Sequence, residues 1–200
     1  MINTIIFDFG DIFINLDKQA TITAFEKLGV TEWNEDLNDL NMQFETGKIS
    51  RENFLSGIQK NIPNASIQEI EAAWNSILLD FPLYRLEFLQ LLSSKHRLFL
   101  LSNTDAIHIN TFEQKNGISF YSDFYQCFEK VYFSFEIGLR KPDLEIFKHL
   151  ISNHELDPKR TLFVDDKKEN TDAALSLGFQ VWNLQVGQED VIHLLDKKII

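Results

Sequence analysis

Four short stretches of this chain place groups capable of chemistry at the ends of apolar runs. In "IIFDFG" the run stops at Asp8, and in "LFVDD" it stops at the adjacent acids Asp165 and Asp166. "LLSNT" ends in Ser102 and Asn103, and "GLRKPD" holds Lys141 between Gly138 and Pro142, with Arg140 beside it. A carboxylate such as Asp8 can act as a nucleophile. Three carboxylates gathered in one place would repel, and at least one would be pushed to keep its proton. A hard divalent cation relieves that crowding, and Mg²⁺ accepts a sparse set of carboxylates completed by waters and substrate oxygens. A serine hydroxyl followed by a free backbone N–H, as at Ser102 and Asn103, suits a phosphoryl oxygen at a helix N-terminus. Lys141, in a short loop, can offset charge on both a nucleophile and an anionic substrate. Each feature also has a plainer reading: helix caps for Ser102 and the acid pair, a solvated surface charge for Lys141. Whether the chain brings them together decides between the two.

The elements that would position them are legible. β-rich runs occur at residues 4–7, 97–101, 130–133, 161–164 and 180–184, each short and apolar without alternation, as strands buried on both faces of a parallel sheet are. Leu144, Phe147, Leu150 and Ile151 recur at helical spacing after Pro142, and residues 170–177 form a helix closed by Gly178. Strand–helix alternation of this kind predicts an α/β fold with a Rossmann-like open parallel sheet. Between the first two strands the pattern is helical throughout: residues 18–28, 34–44, a segment after Ser50, one after Ser66 with Glu69 completing a capping box, and one after Pro82. The expected division is an α/β core of residues 1–15 and 89–200 interrupted by an all-helical module of residues 16–88. In open parallel sheets ligands sit beyond the carboxyl ends of the strands, so Asp8, Ser102, Asn103, Ser134, Asp165 and Asp166 are expected on one rim, with the helical module as a lid.

Composition narrows the class. The 200 residues include 18 Phe and carry a formal net charge of −11, enough apolar content for a sizeable core and a field that disfavours nucleic acid and anionic membranes. An anionic substrate would need a local positive site. The single cysteine, Cys127, excludes an internal disulfide and reads as a packed thiol. No apolar run reaches the ~20 residues of a membrane helix and no signal-peptide pattern opens the chain, so a cytoplasmic protein is expected. The five histidines are scattered, with none at metal-ligand spacing. Phe44, Phe54 and Trp74 read as helical core residues. The "DFG" at Asp8 is not the metal-holding motif of a kinase, since no Gly-rich loop or His-Arg-Asp segment precedes it. A monomer or homodimer is expected, with Ile199 and Ile200 as a candidate contact.

In this order, "IIFDFG", "LLSNT", "GLRKPD" and "LFVDD" resemble the four motifs of the haloacid dehalogenase superfamily, and the helical insertion resembles its C1-type cap. "FDFGDIFINLD", "GKIS" and "RKPD" are most similar to bacterial sugar-phosphate phosphatases related to α-D-glucose-1-phosphate phosphatase. The resemblance implies a Mg²⁺-dependent phosphatase acting on a small phosphorylated metabolite. Asp8 would be the nucleophile that forms an aspartyl-phosphate. Asp8, the carbonyl of Gly10, and Asp166 would hold the metal, with Asp165 gripping its waters. Ser102, Asn103, Arg140 and Lys141 would bind the substrate, Ser102 and Lys141 holding the group in transfer, and Asn170 would brace the metal loop. One position departs from the pattern: Gly10 stands where such phosphatases usually carry an acid that protonates the leaving alcohol, help commonly worth ~10²–10⁴ in rate. Asp11, one residue on, would point to the opposite face of an extended segment unless the loop turns sharply. A sugar 1-phosphate, whose leaving group depends less on protonation, would suit the loss. Two alternatives are a 2-haloacid dehalogenase, which needs no leaving-group acid, and a weakly catalytic or non-enzymatic relative that binds phosphate or protein.

Overall fold

A computed structural model describes residues 1–197 and 199. Ile200, half of the apolar pair singled out above, lies outside the described residues. Strands β1 (Thr4–Phe7), β2 (Arg97–Ser102), β3 (Lys130–Phe133), β4 (Thr161–Asp165) and β5 (Gln180–Asn183) form one parallel sheet in the order β3-β2-β1-β4-β5. The helices are α1 (Lys18–Leu28), α2 (Glu35–Glu45), α3 (Arg51–Gln59), α4 (Ile67–Asn75), α5 (Leu83–Ser93), α6 (Ala106–Asn116), α7 (Ile118–Gln126), α8 (Ser134–Ile137), α9 (Leu144–His154) and α10 (Lys168–Ser176). The strand expectations hold to within a residue or two. Helices α6 and α7, between β2 and β3, lie outside the sequence expectations, although Phe120, Tyr121, Phe124 and Tyr125 of α7 recur at helical spacing and join the core.

Successive strand residues face opposite sides of the sheet. Ile5, Phe7, Leu98, Leu100, Leu162 and Val164 pack with Leu86, Phe88, Leu89 and Leu92 of α5 and Phe112 and Phe124 of α6 and α7. Ile6, Phe99, Leu101 and Phe163 pack on the other face with Ile146, Phe147 and Leu150 of α9 and Ala174 of α10. Burial at about 1.5–3 kcal/mol for each such large apolar side chain holds these layers together.

The segment α1–α4 has a cluster of its own, built on Phe25, Leu37, Phe44, Phe54, Ile58, Ile70 and Trp74 and including Ile107 of α6. Its helices start where the sequence supplies caps: Asp17, Asn34, Ser50 and Ser66 each accept a backbone N–H from the first turn, Ser66 in the capping box with Glu69. The chain enters and leaves this segment through two paired crossings. Asn15 N donates to Asp80 O at 2.9 Å, Leu79 N to Asn15 O at 3.0 Å and Asp17 N to Ile77 O at 2.8 Å, with Leu16 and Leu78 bridged antiparallel. Helix α5 follows that return crossing and packs against the sheet. Buried Arg85 pins the entering strand by donating to Phe13 O at 3.0 Å and Asn15 Oδ1 at 2.9 Å, while its other face holds Asp190. No helix among the described residues is long and apolar enough to cross a membrane.

Candidate active site

The register of the sheet brings the sequence candidates together. Phe7 pairs with Leu100 on one side and Val164 on the other, and Asp8 N donates to Val164 O at 2.9 Å, so Asp8 leaves β1 level with Asp165. Asp8, Asp165 and Asp166 each offer an oxygen within 4.8 Å of the others. Lys141 reaches them from the loop before α9. Its Nζ lies 2.8 Å from Asp8 Oδ1 and 2.7 Å from Asp165 Oδ2, and the side chain is 1% exposed. The phenyl ring of Phe163 faces the same ammonium at 5.5 Å. So this lysine is a fixed internal cation, not the solvated charge of the plainer reading.

The carboxylates are not equivalent. Asp165 accepts from Lys141 Nζ and Asn170 Nδ2 at one oxygen and from Lys167 N and Asn170 Nδ2 at the other, which fills its acceptor sites. Asn183 Nδ2 fixes the turn after β4 by donating to Asp166 O at 2.8 Å. Asp8 and Asp166 are the acids left open to another partner. Burial drives the Asp8 carboxyl up to about 7, with the Asp165 and Asp166 charges pushing the same way and Lys141 opposing. Asp166 is raised by burial and by Asp165. Burial would depress Lys141, but Asp165 and Asp8 outweigh it and hold the ammonium protonated. A cluster that resists its own ionisation is the donor chemistry a hard divalent cation completes.

The other half of the rim is braced to Lys141. Asn103 Nδ2 donates to Lys141 O at 2.8 Å and Lys141 N donates to Asn103 Oδ1 at 2.9 Å, a reciprocal pair that fixes the lysine backbone. The Ser134 hydroxyl donates to Thr104 O and accepts from Thr104 N, both at 3.0 Å. Ser102 is buried at the end of β2. Asp8, Gly10, Ser102, Asn103, Lys141, Asp166 and Asn170 all line one cavity of about 220 Å³, whose far wall comes from α2 and α4. That volume is below the ~300–1,000 Å³ of pockets for drug-sized ligands.

Arg140 differs from expectation. It does not line this cavity; its Nη2 lies 2.8 Å from Glu45 Oε2, at the end of α2. The reason is local: Lys141 turns inward to the two acids, and its neighbour is directed to the helical segment. The loop after Asp8 turns sharply, with Asp11 at φ 58. The Asp11 carboxylate lines the cavity but is engaged, accepting from Leu16 N at 3.2 Å and from Lys18 Nζ at 2.9 Å. Lys18 also lies 3.6 Å from Asp166. Phe44 and Phe54 stack within the helical cluster at 4.2 Å, whereas Trp74 also reaches the cavity.

His108 is the cavity residue that histidine spacing alone did not reveal. Its Nδ1 lies 3.0 Å from Asp105 Oδ2, its Nε2 lies 3.1 Å from Trp74 O, and its ring stacks on Trp74 at 5.1 Å. Trp74 Nε1 donates to the same Asp105 oxygen at 3.0 Å. With an acceptor at each ring nitrogen, the imidazolium is the form that satisfies both. Burial alone would lower its pKa, but the Asp105 charge outweighs burial and raises it. The usable signal was the helix-capping aspartate three residues before it in "NTDAIH".

Comparison with known proteins agrees over nearly the whole chain. A family model described as haloacid dehalogenase-like hydrolase matches residues 5–184. The chain is 27% identical over 195 residues to a D-ribitol-5-phosphate phosphatase of Bacteroides thetaiotaomicron, covering 94% of this chain and 95% of that one. A haloacid dehalogenase family enzyme from the same organism, solved in complex with magnesium and inorganic phosphate, superposes with a TM-score of 0.85 at 36% identity, covering 97% of this chain and 99% of that one. A HAD-like family hydrolase from Porphyromonas gingivalis gives a TM-score of 0.85 at 29% identity, over 98% and 97% of the two chains.

Proposed function

The chain belongs to the haloacid dehalogenase-like hydrolase family, and from that premise we propose that it is a Mg²⁺-dependent phosphatase of small sugar or sugar-alcohol phosphates. The observation that carries the proposal is the buried Lys141 ammonium bridging Asp8 and Asp165 beside Asp166, at the sheet end of a cavity closed by α2 and α4. The named relatives support it, one as a D-ribitol-5-phosphate phosphatase and one as an enzyme complexed with magnesium and phosphate.

In this reading Asp8 attacks phosphorus, the ester oxygen departs, and water then hydrolyses the aspartyl-phosphate to free phosphate and restore the carboxylate. Ser102 and Lys141 orient the phosphoryl group, acting by position and charge. Asn103 holds the Lys141 backbone in place. Asp8, Asp166 and the Gly10 carbonyl would hold Mg²⁺, and Asp165, its oxygens already engaged, would act through Lys141, Lys167 and Asn170. When bound, the ion supplies the positive charge that lets an anionic carboxylate approach an anionic ester. We place the helical cap between the crossings at residues 15–17 and 77–80, so its end lies nearer residue 80 than 88, because α5 packs on the sheet.

Gly10 provides no leaving-group acid, and Asp11 is tied to Leu16 and Lys18. Esters with a better leaving group, sugar 1-phosphates such as glucose 1-phosphate, are therefore favoured over primary alkyl phosphates of equal fit. Phosphate release should be measured with Mg²⁺ and with chelator on glucose 1-phosphate, glucose 6-phosphate and ribitol 5-phosphate. Turnover that is chelator-insensitive, or chloride release from a 2-haloacid in its place, would overturn the reading.

A further inference from the structure

Resting on that reading, we infer that Asn41 and Glu45 of α2 are the specificity pair of this site. They read hydroxyl groups on the leaving alcohol, and Glu45 rejects esters that carry a second anionic group. The sheet rim fixes where the phosphate sits, so whatever extends from it must meet the far wall of the cavity. That wall presents Trp74, Ile77, Leu78 and Leu16 as apolar surface and Asn41 and Glu45 as polar groups.

The two polar residues are one helical turn apart, which puts them on the same face of α2. Both are half-buried, yet among the described residues neither side chain takes part in any hydrogen bond. This contrasts with the other polar groups on the helical side and its border. Asp11 is held by Leu16 and Lys18, and His108 by Asp105 and Trp74. Glu45 Oε2 lies 2.8 Å from Arg140 Nη2, yet that oxygen is buried without a hydrogen bond of acceptable geometry. Arg140 thus balances the Glu45 charge from outside the cavity, while Glu45 itself lines it. A buried polar atom left without a partner, as Glu45 Oε2 is, is costly unless a ligand or water meets it, and the Asn41 amide lies beside it on the cavity wall.

An acceptor carboxylate and a carboxamide one turn apart, beside an indole and aliphatic walls, match a chain of CH–OH units. Hydroxyls can donate to Glu45 and exchange hydrogen bonds with Asn41, while the carbon faces lie on Trp74 and Ile77. The same carboxylate opposes a substrate carboxylate or second phosphate. Its removal also leaves Arg140 unpaired, which adds to the attraction for anions.

The test compares kcat/KM for ribitol 5-phosphate, p-nitrophenyl phosphate and 2-phosphoglycolate in the wild type, Asn41→Ala and Glu45→Gln. The ratio of ribitol 5-phosphate to the aryl ester, which has no hydroxyl to lose, is expected to fall about tenfold in Asn41→Ala. In Glu45→Gln the ratio of 2-phosphoglycolate to the aryl ester is expected to rise about fivefold or more, a gain that a damaged fold cannot produce. Ratios unchanged in both variants, with a wild type active on the esters, would overturn the pair as specificity residues. A wild type that releases phosphate from none of the three, nor from glucose 1-phosphate, would instead overturn the phosphatase reading on which the inference rests.

Discussion

The two walls of the cavity are built on opposite plans. On the sheet side most polar groups are held by others: Asp165 by Lys141, Lys167 and Asn170, Lys141 by two acids and by Asn103, the turn after β4 by Asn183, with Asp8 and Asp166 left open. On the helical side α1–α4 have their own apolar cluster, and α2 offers Asn41 and Glu45 without hydrogen bonds. Chemistry that must be the same at every turnover is placed on strand ends locked by backbone register. In the proposed reading, recognition of the leaving group falls to a separately packed helical layer, joined through two short crossings, the Trp74–His108–Asp105 contact, the Arg140–Glu45 pair and the approach of Gly47 to Phe135. The wall that is rigid because it is satisfied should fail catastrophically when cut, and the open one should fail selectively.

The largest expected effect is on the rigid wall. Asp8→Asn keeps the shape of the side chain and removes the oxygen anion proposed as the nucleophile, so phosphate release should drop by about 10⁴-fold or more while far-UV circular dichroism is unchanged. Activity persisting in purified Asp8→Asn would mean that this wall is not where the reaction occurs.

Lys141→Met should cost both activity and stability. Removing the cation leaves Asp8 and Asp165 buried without their partner, a loss of about 3–5 kcal/mol by analogy with other broken buried pairs. Urea unfolding in chelator reads the cost, and added Mg²⁺ should recover more stability in the variant than in the wild type, because the ion replaces missing positive charge. Equal Mg²⁺ stabilisation in both proteins would argue that the acids do not share the ion with the lysine's neighbourhood.

Between the walls, Gly47 is the tightest joint. It follows α2 at φ 67, and a Cβ there would stand 2.1 Å from the backbone oxygen of Phe135 at the start of α8. Neither the left-handed backbone nor the contact can be relieved by a side-chain rotation, so Gly47→Ala should destabilise by about 2 kcal/mol or more. Loss of cap seating should accompany it, seen as protease sensitivity in α1–α4. An alanine variant as stable as the wild type would show that the cap does not rest on this approach.

The second joint is electrostatic. His108 faces the Asp105 carboxylate, the Trp74 carbonyl and indole, and the Glu45 charge, and its folded pKa is raised from the ordinary 6.5. A raised folded pKa means the imidazolium contributes stability that is fully present below about 6.5 and is lost as pH rises through the folded value. Thermal unfolding of the wild type should therefore decline across that window, and His108→Gln should flatten the profile. An identical slope in both proteins would remove His108 from the joint.

The two walls were also unequally legible in the sequence. Asp8, Ser102, Asp165 and Asp166 follow unbroken apolar strands, and strand ends on one rim are a consequence of parallel topology, so their meeting could be anticipated. Lys141 was recognisable from its Gly–Pro setting and from the motif that holds it, but nothing in the sequence says that this lysine is buried. The opposite wall depends on which turn of α2 faces inward. The periodicity of "EDLNDLNMQFE" marks Leu37 and Phe44 as its core face, but whether Asn41 and Glu45 meet solvent or a cavity depends on how the cap is seated. Arg140 shows the same limit: its charge and position were plain, but its partner lies on a helix some ninety residues earlier.

Gly10 gives the smallest effect and the sharpest contrast with Gly47. A Cβ at Gly10 would approach Leu16 Cδ1 at 2.8 Å, the far end of a flexible side chain and not backbone. Its φ is not in the left-handed region, so alanine meets no backbone strain there. Gly10→Ala should cost less than about 1 kcal/mol, a penalty that Leu16→Ala in the same chain relieves. Gly10→Asp needs the same movement of Leu16, and once that is granted it restores a carboxyl beside the nucleophile. Turnover of a primary alkyl phosphate should then rise relative to a sugar 1-phosphate, read as the ratio of the two rates. If Gly10→Asp combined with Leu16→Ala folds and that ratio does not move, the glycine is not what limits leaving-group protonation, and the difference between the walls lies wholly in the cap.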